Sequence, residues 1–196
     1  MSDYVLQVET SLPTALGNFK ILAYATSPNE PQPDIVLVSE KKSADKSAVL
    51  VRIHSECMTG DVFHSLRCDC GEQLDYALKK INEEGGVLIY LRQEGRGIGL
   101  INKLKAYKLQ DSGLDTIEAN KALGFADDER HYQRAAKILS DLKIQKVRLL
   151  TNNPLKITEL EKLGLEVAGR EPIVISPRTE NERYLNTKKF LMGHLV

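Results

Sequence analysis

The sequence has no excess of either charge. Its 196 residues carry 27 Lys plus Arg against 27 Asp plus Glu, a formal net charge of zero. Duplex-binding chains are normally basic, because counterion release drives that association, so polymeric nucleic acid is not the expected partner. A small anion met by a local cluster of cations stays open. No run approaches the ~20 apolar residues of a membrane helix, and Met1-Ser2-Asp3-Tyr4 does not open a signal peptide. The expected location is the cytoplasm, where thiols stay reduced. There is no repeat, low-complexity tract or long linker. The nearest thing to a flexible stretch is Ser27–Pro33, with three prolines. Cysteine is scarce, with Cys57, Cys68 and Cys70 alone. An odd number packed this closely suits a metal better than a disulfide framework.

What is present is a core of ordinary size: 42% of residues are hydrophobic and 28% charged. Short β-favouring runs at 4–8, 19–25, 35–38 and 48–54 fill the first third. From Glu72 the period changes: Leu74, Ala77, Leu78 and Ile81 form one helical stripe, which Gly85-Gly86 stops. Residues 87–91 are continuously apolar, as in a strand covered on both faces. A helix is expected over about 99–110 from Leu100, Leu104 and Tyr107, and others over about 117–123 and 132–142. Residues 147–150 and 165–167 read as strands. Asn153-Pro154 reads as an N-cap with proline at the first helical position, and a last helix ends near Met192. The expected fold is α/β, a mixed sheet flanked by helices in layers. A β-rich portion over about 1–70 packs on an alternating α/β portion over about 71–196, within one domain.

Cys57-x10-Cys68-x-Cys70 is the sharpest chemical signal. Three thiolates suit Zn²⁺ and leave one tetrahedral position. Water there makes a catalytic site; His54 or His64 there makes a closed structural knot; the third reading is three small buried residues. Polar residues crowd around these cysteines at a strand end and a helix start, where α/β active sites open.

Arg92-Gln93-Glu94-Gly95-Arg96-Gly97-Ile98-Gly99-Leu100 joins a buried strand to a helix. Its glycines and arginines suit an anion or, equally, a flexible turn; it is neither a Walker loop nor a dinucleotide fingerprint. Lys103, Lys105 and Lys108 read as a solvated helix face with no role. Thr151–Lys156 reads as capping sequence that can also grip phosphate. In Asp127-Asp128-Glu129-Arg130 the acids suit a helix first turn, or one serves as a general base beside an arginine clamp.

Taken together, Arg52-Ile53-His54-Ser55-Glu56-Cys57, Cys68-Asp69-Cys70-Gly71, Arg92–Leu100, Asp127–Arg130 and Thr151-Asn152-Asn153-Pro154 closely resemble GTP cyclohydrolase II, in order and from about residue 12 to 194. The resemblance implies conversion of GTP and water to 2,5-diamino-6-hydroxy-4-(5-phosphoribosylamino)pyrimidine, formate and pyrophosphate, the opening step of riboflavin synthesis. It implies a catalytic Zn²⁺ on Cys57, Cys68 and Cys70, one per chain, and Mg²⁺ on the pyrophosphate. GTP would be bound by Arg52, Ile53, His54, Ser55, Glu56, Gln73, Glu94, Gly95, Arg96, Thr116, Thr151 and Lys156. The resemblance makes Asp128 the proton acceptor, Arg130 the nucleophile of pyrophosphate release and Tyr107 the residue that completes ring opening. A guanidinium is a poor nucleophile, so a phosphate clamp is the equal alternative for Arg130. A homodimer is implied, and at this length the chain is expected to be monofunctional, without the synthase domain to which many members are fused. Two other classes stand beside this: a nucleotide-binding module with structural zinc, and an unrelated phosphohydrolase using Asp128 and the Gly95–Gly99 loop.

Overall fold

The computed structural model describes residues 3–43, 47–126 and 128–195; Asp127 of the acidic motif lies outside them. Seven strands form one mixed sheet: β1 (Val5–Thr14), β2 (Gly17–Ala25), β3 (Asp34–Ser39), β4 (Val49–Ser55), β5 (Val87–Leu91), β6 (Lys146–Leu150) and β7 (Glu166–Glu171). Their order is β1-β2-β3-β5-β4-β6-β7. β1, β2, β3 and β5 pair antiparallel, whereas β5, β4, β6 and β7 pair parallel.

The α/β expectation holds, with one change of arrangement. The β-rich N-terminal portion does not pack on the α/β portion as a layer; it continues the same sheet edge to edge through β3–β5. β1 also runs six residues past the expected end, to Thr14, and returns through a tight hairpin pairing Thr14 with Gly17. Most of its side chains are exposed, so no alternation announced it, and an edge strand tolerates Pro13.

Alternation along the strands builds two cores. Val51, Ile53, Ile89, Leu91, Val147 and Leu149 face one side. There they meet Ala135, Ile138 and Leu139 of a helix at Gln133–Asp141 and Leu160 of a helix at Pro154–Lys162. Leu50, Leu88 and Leu150 face the other side, covered by Ala77 and Ile81 of the helix at Cys70–Glu84. The helices in chain order are α1 (Met58–Asp61), α2 (Cys70–Glu84), α3 (Leu100–Asp111), α4 (Thr116–Ala122), α5 (Gln133–Asp141), α6 (Pro154–Lys162) and α7 (Glu182–Asn186), the last continuing into a wider turn at Thr187–Leu191. Asn153 caps α6, with Leu155 N–H donating to its Oδ1 at 3.0 Å and Pro154 at the first helical position, as the sequence predicts.

α3 departs from its expected stripe. Leu104 is exposed and Lys103 with Ala106 faces inward, so this helix buries a cation where the sequence suggested leucine. β4 sits between β5 and β6: the chain runs from β4 through α2 to β5 on one side, then crosses back past β4 to β6 on the other. Ligand crevices in open sheets lie outside the carboxyl ends of strands at such a point.

Candidate active site

Past the carboxyl ends of β4, β5 and β6 lies an open cavity of about 150 Å³. Every sequence-predicted site residue lines it except Ile53 and Asp128. Ile53 points its side chain into the core and offers only its carbonyl, which accepts from Lys156 Nζ at 2.7 Å. Asp128 stands one step behind, paired with Arg130. In a chain of zero net charge, seven Lys or Arg side chains and two carboxylates, Glu56 and Glu94, line this cavity among the described residues. Such a wall attracts a polyanion.

The three cysteines converge at one end. Cys57 follows β4, and Cys68 and Cys70 lead into α2. Their sulfurs all lie within 4.8 Å of one another, and Cys57 Sγ is 3.7 Å from Cys68 Sγ. Two ligands at ~2.3 Å on a tetrahedral ion are ~3.8 Å apart, so the spacing fits Zn²⁺. The Cys57 pKa is driven far down by hydrogen bonds from the Cys68 and Cys70 thiols and then by Lys103. Sharing with Cys57 pushes Cys68 up to about 11 and Cys70 well above the usual thiol. A cation among the sulfurs would favour ionisation of all three. Gly60 of α1 is the floor of this cradle: a Cβ there would come 2.9 Å from Cys68 Sγ and 3.2 Å from Cys57 Sγ.

Neither histidine joins the cluster. His64 is exposed. His54 is buried, its Nε2 3.1 Å from both oxygens of Asp61 and its Nδ1 3.4 Å from Arg52 Nη2. Burial, opposed by the Asp61 hydrogen bond and reinforced by Arg52, lowers its pKa, so the ring is a neutral donor to Asp61. Asp61 also accepts from Tyr90 Oη at 2.8 Å and from Cys57 N–H at 2.9 Å. His54 thus acts on the cysteine turn through Asp61, which the sequence reading did not single out.

The largest omission was Lys103. Its Nζ lies 3.0 Å from Cys57 Sγ and 2.8 Å from Glu94 Oε1. Burial works against its charge, but the Cys57 thiolate and Glu94 outweigh that and raise its pKa. Glu94 also accepts from Met58 N–H at 2.6 Å and from Gly95 N–H at 2.8 Å. Its carboxylate is therefore occupied in tying the loop after β5 to the cysteine turn. The telling sequence sign was a lysine at i+3 from Leu100 and i−4 from Tyr107, on the helix's inward stripe.

That loop is shaped by backbone rather than by glycine freedom alone. Gly95 and Arg96 both take left-handed conformations, with φ of 63° each, costing Arg96 about 1 kcal/mol. A Cβ on Gly97 would come 2.9 Å from the Glu129 carbonyl, and Glu129 N–H donates to the Arg96 carbonyl at 3.0 Å. This close approach brings the acidic–arginine segment beside the loop and Arg130 into the cavity. Arg130 forms a two-pronged pair with Asp128, Nε to Oδ1 at 2.8 Å and Nη2 to Oδ2 at 2.5 Å. Burial costs the guanidinium, but Asp128 more than compensates and holds it firmly protonated. Arg92, in contrast, turns away to Glu56 at 2.7 Å and the Pro33 carbonyl at 3.3 Å.

The remaining predicted residues complete the wall. Arg52 donates to the Leu150 carbonyl at 3.0 Å and to Gln73 Oε1 at 2.8 Å. Thr151 Oγ1 accepts from Asn153 N–H at 3.0 Å, and Thr116 begins α4. Lys156 is buried; desolvation and then Arg52 and Arg130 push its pKa well down. Tyr107 Oη is 3.4 Å from Thr59 Oγ1, itself 3.7 Å from Cys57 Sγ. Burial raises the tyrosine's pKa, leaving a neutral phenol near the sulfurs.

Comparison with known proteins agrees with this geometry. The chain is 56% identical over 192 residues to GTP cyclohydrolase-2 of Archaeoglobus fulgidus, covering 96% of this chain and 49% of that protein. It is 54% identical over 190 residues to the riboflavin biosynthesis protein RibBA of Chlorobium phaeovibrioides, covering 96% and 46%. RibBA of Bacillus subtilis is 52% identical over 191 residues, covering 97% and 48%. The chain thus spans about half the length of the curated relatives it matches. Among solved structures, the two-domain 3,4-dihydroxy-2-butanone 4-phosphate synthase RibBX of A. baumannii reaches a TM-score of 0.46 at 19% identity, over 90% of this chain and 41% of that one, too distant to bear on the site. The family model described as GTP cyclohydrolase II matches residues 6–172, and the chain belongs to that family.

Proposed function

We propose that this chain hydrolyses GTP to 2,5-diamino-6-hydroxy-4-(5-phosphoribosylamino)pyrimidine, formate and pyrophosphate, the reaction that opens riboflavin synthesis. The observation that carries it is the convergence of three thiols, spaced for a tetrahedral ion, on one end of a cavity walled by cations. Zn²⁺ held by Cys57, Cys68 and Cys70 would supply Lewis acidity and a water acidic enough to ionise near neutral pH.

The chain's own groups do the rest. Arg52, Arg96, Arg130 and Lys156 attract and orient the triphosphate, so that the purine's five-membered ring reaches the cysteine end. Asp128 fixes the plane of Arg130, whose firm protonation favours a clamp on the phosphate over a nucleophile. Tyr107, a neutral phenol, donates a hydrogen bond to the opened ring. Lys103 and Glu94 hold Cys57 in place, and His54 does the same through Asp61. The family reading extends to one cyclohydrolase domain over 1–196, Mg²⁺ on the pyrophosphate oxygens, a homodimer and a cytoplasmic enzyme. The closed-knot alternative finds no support, since neither imidazole reaches the sulfurs.

The test is product analysis. Protein supplied with Zn²⁺ and Mg²⁺ should release formate and pyrophosphate from GTP in equal amounts, with loss of purine absorbance, and a chelator should stop formate. Intact GTP, or phosphate release with the purine spectrum unchanged, would overturn the proposal.

A further inference from the structure

The family model ends at residue 172, yet three side chains beyond it, Tyr184, Lys188 and His194, line the cavity. The segment carrying them is fastened to the site at both ends. Lys188 Nζ donates to Asp69 Oδ1 at 2.7 Å, a buried pair whose acid stands between Cys68 and Cys70. Leu195 N–H donates to the Asn152 carbonyl at 2.9 Å, in the loop after β6, and His194 N–H donates to the Lys188 carbonyl at 3.0 Å. The Tyr184 ring carries Lys188 Nζ 4.5 Å from its centre and the Arg96 guanidinium 5.9 Å from it. Both terminal nitrogens of Arg96 are buried and, among the described residues, without a hydrogen-bond partner. A desolvated guanidinium left open in this way is a site waiting for an acceptor.

We propose that His194 is an anion-binding residue of this cavity, donating to the phosphate chain of the nucleotide alongside Arg96 and taking up a proton as that anion enters. The basic groups that bear on the ring are Lys188 on its own segment, Arg130 before α5, Arg96 in the loop after β5 and Lys156 in α6. In that field, and with burial acting first, the imidazole is neutral when the cavity is empty of anion. A polyphosphate reverses the sign of the local field and supplies an acceptor, so protonation becomes favourable. His194 then gains a charge-assisted bond that a fixed neutral donor lacks.

The inference rests on the nucleotide reading above but is tested without turnover. Inorganic tripolyphosphate is titrated calorimetrically into the zinc-loaded chain near neutral pH, in buffers of different ionisation enthalpy. Wild type should take up more protons per anion bound than His194→Asn, and the variant should bind roughly 10-fold more weakly. His194→Lys, which keeps a permanent charge, should restore most of the affinity while the extra proton uptake stays lost. Equal affinity and equal proton count in wild type and His194→Asn would overturn the proposal. Were the asparagine variant unfolded, the lysine variant's proton count would decide alone. Formate release by wild type tests the broader reading separately: its absence sinks the cyclohydrolase assignment and leaves the anion site standing.

Discussion

Lys103 and Cys57 are 46 residues apart in sequence and 3.0 Å apart in space, an ammonium resting on one sulfur of the cysteine trio. The same ammonium holds Glu94, so one side chain links the cysteine turn, the loop after β5 and α3.

Lys103→Met should therefore weaken zinc retention roughly 10- to 100-fold, the usual cost of losing a partner of a metal ligand. It should also lower stability by about 3 kcal/mol, because Glu94 is left buried without its cation. Chelator competition and denaturant unfolding measure the two effects, and unchanged zinc affinity would refute the link.

Gly60→Ala places a methyl 2.9 Å from Cys68 Sγ. The expected outcome is native circular dichroism with strongly reduced zinc content and formate release. Cys68→Ser should give the same loss of metal while GTP binding, carried by the cationic wall, stays within a few-fold of wild type. Full zinc occupancy in Gly60→Ala would show that the cradle relaxes.

Arg130 offers a direct comparison of charge against nucleophile. As a clamp, Arg130→Lys should keep part of the activity and chiefly raise KM for GTP, whereas Arg130→Met should lose ~100-fold in kcat/KM. Loss of pyrophosphate release to the same depth in both variants would favour the nucleophile.

Two histidines set an acid sensitivity. His194 is lowered from 6.5 to about 3, by burial first and then by Lys188 and the other cations, and His54 is lowered chiefly by burial. Below about 6.5 the unfolded chain binds protons at these rings that the folded chain does not, so stability falls as pH drops from 6.5 towards 3. Melting temperature should decline over that window, and His194→Asn should flatten the decline. An identical slope in the variant would contradict the assignment.

Much of this was legible before any coordinates. The stripe Leu74–Ala77–Leu78–Ile81, the apolar run at 87–91 and the Asn153-Pro154 cap each encode their structure within a few neighbours. The cysteine spacing likewise announced a cluster able to hold a metal. What escaped was non-local. Lys103 reads as one of three solvent-facing lysines until Cys57 and Glu94 are folded onto it, and Lys105 and Lys108 are indeed exposed. Asp61 and Gly60 matter only because α1 is wedged against the first turn of α2, and nothing in Met58–Asp61 announces a helix. Arg92 and Arg96 look equivalent along the chain, yet Arg92 pairs with Glu56 while Arg96, on left-handed backbone, lines the cavity.

Cys57 and Cys68 reside in the connection between β4 and α2, and Cys70 opens α2, all three outside both apolar cores. Stripping the ion should thus loosen residues 57–69 as a local opening, with amide exchange accelerating there while β4 and β5 stay protected. Reloading would then be a repair made within the native fold, with no global refolding required.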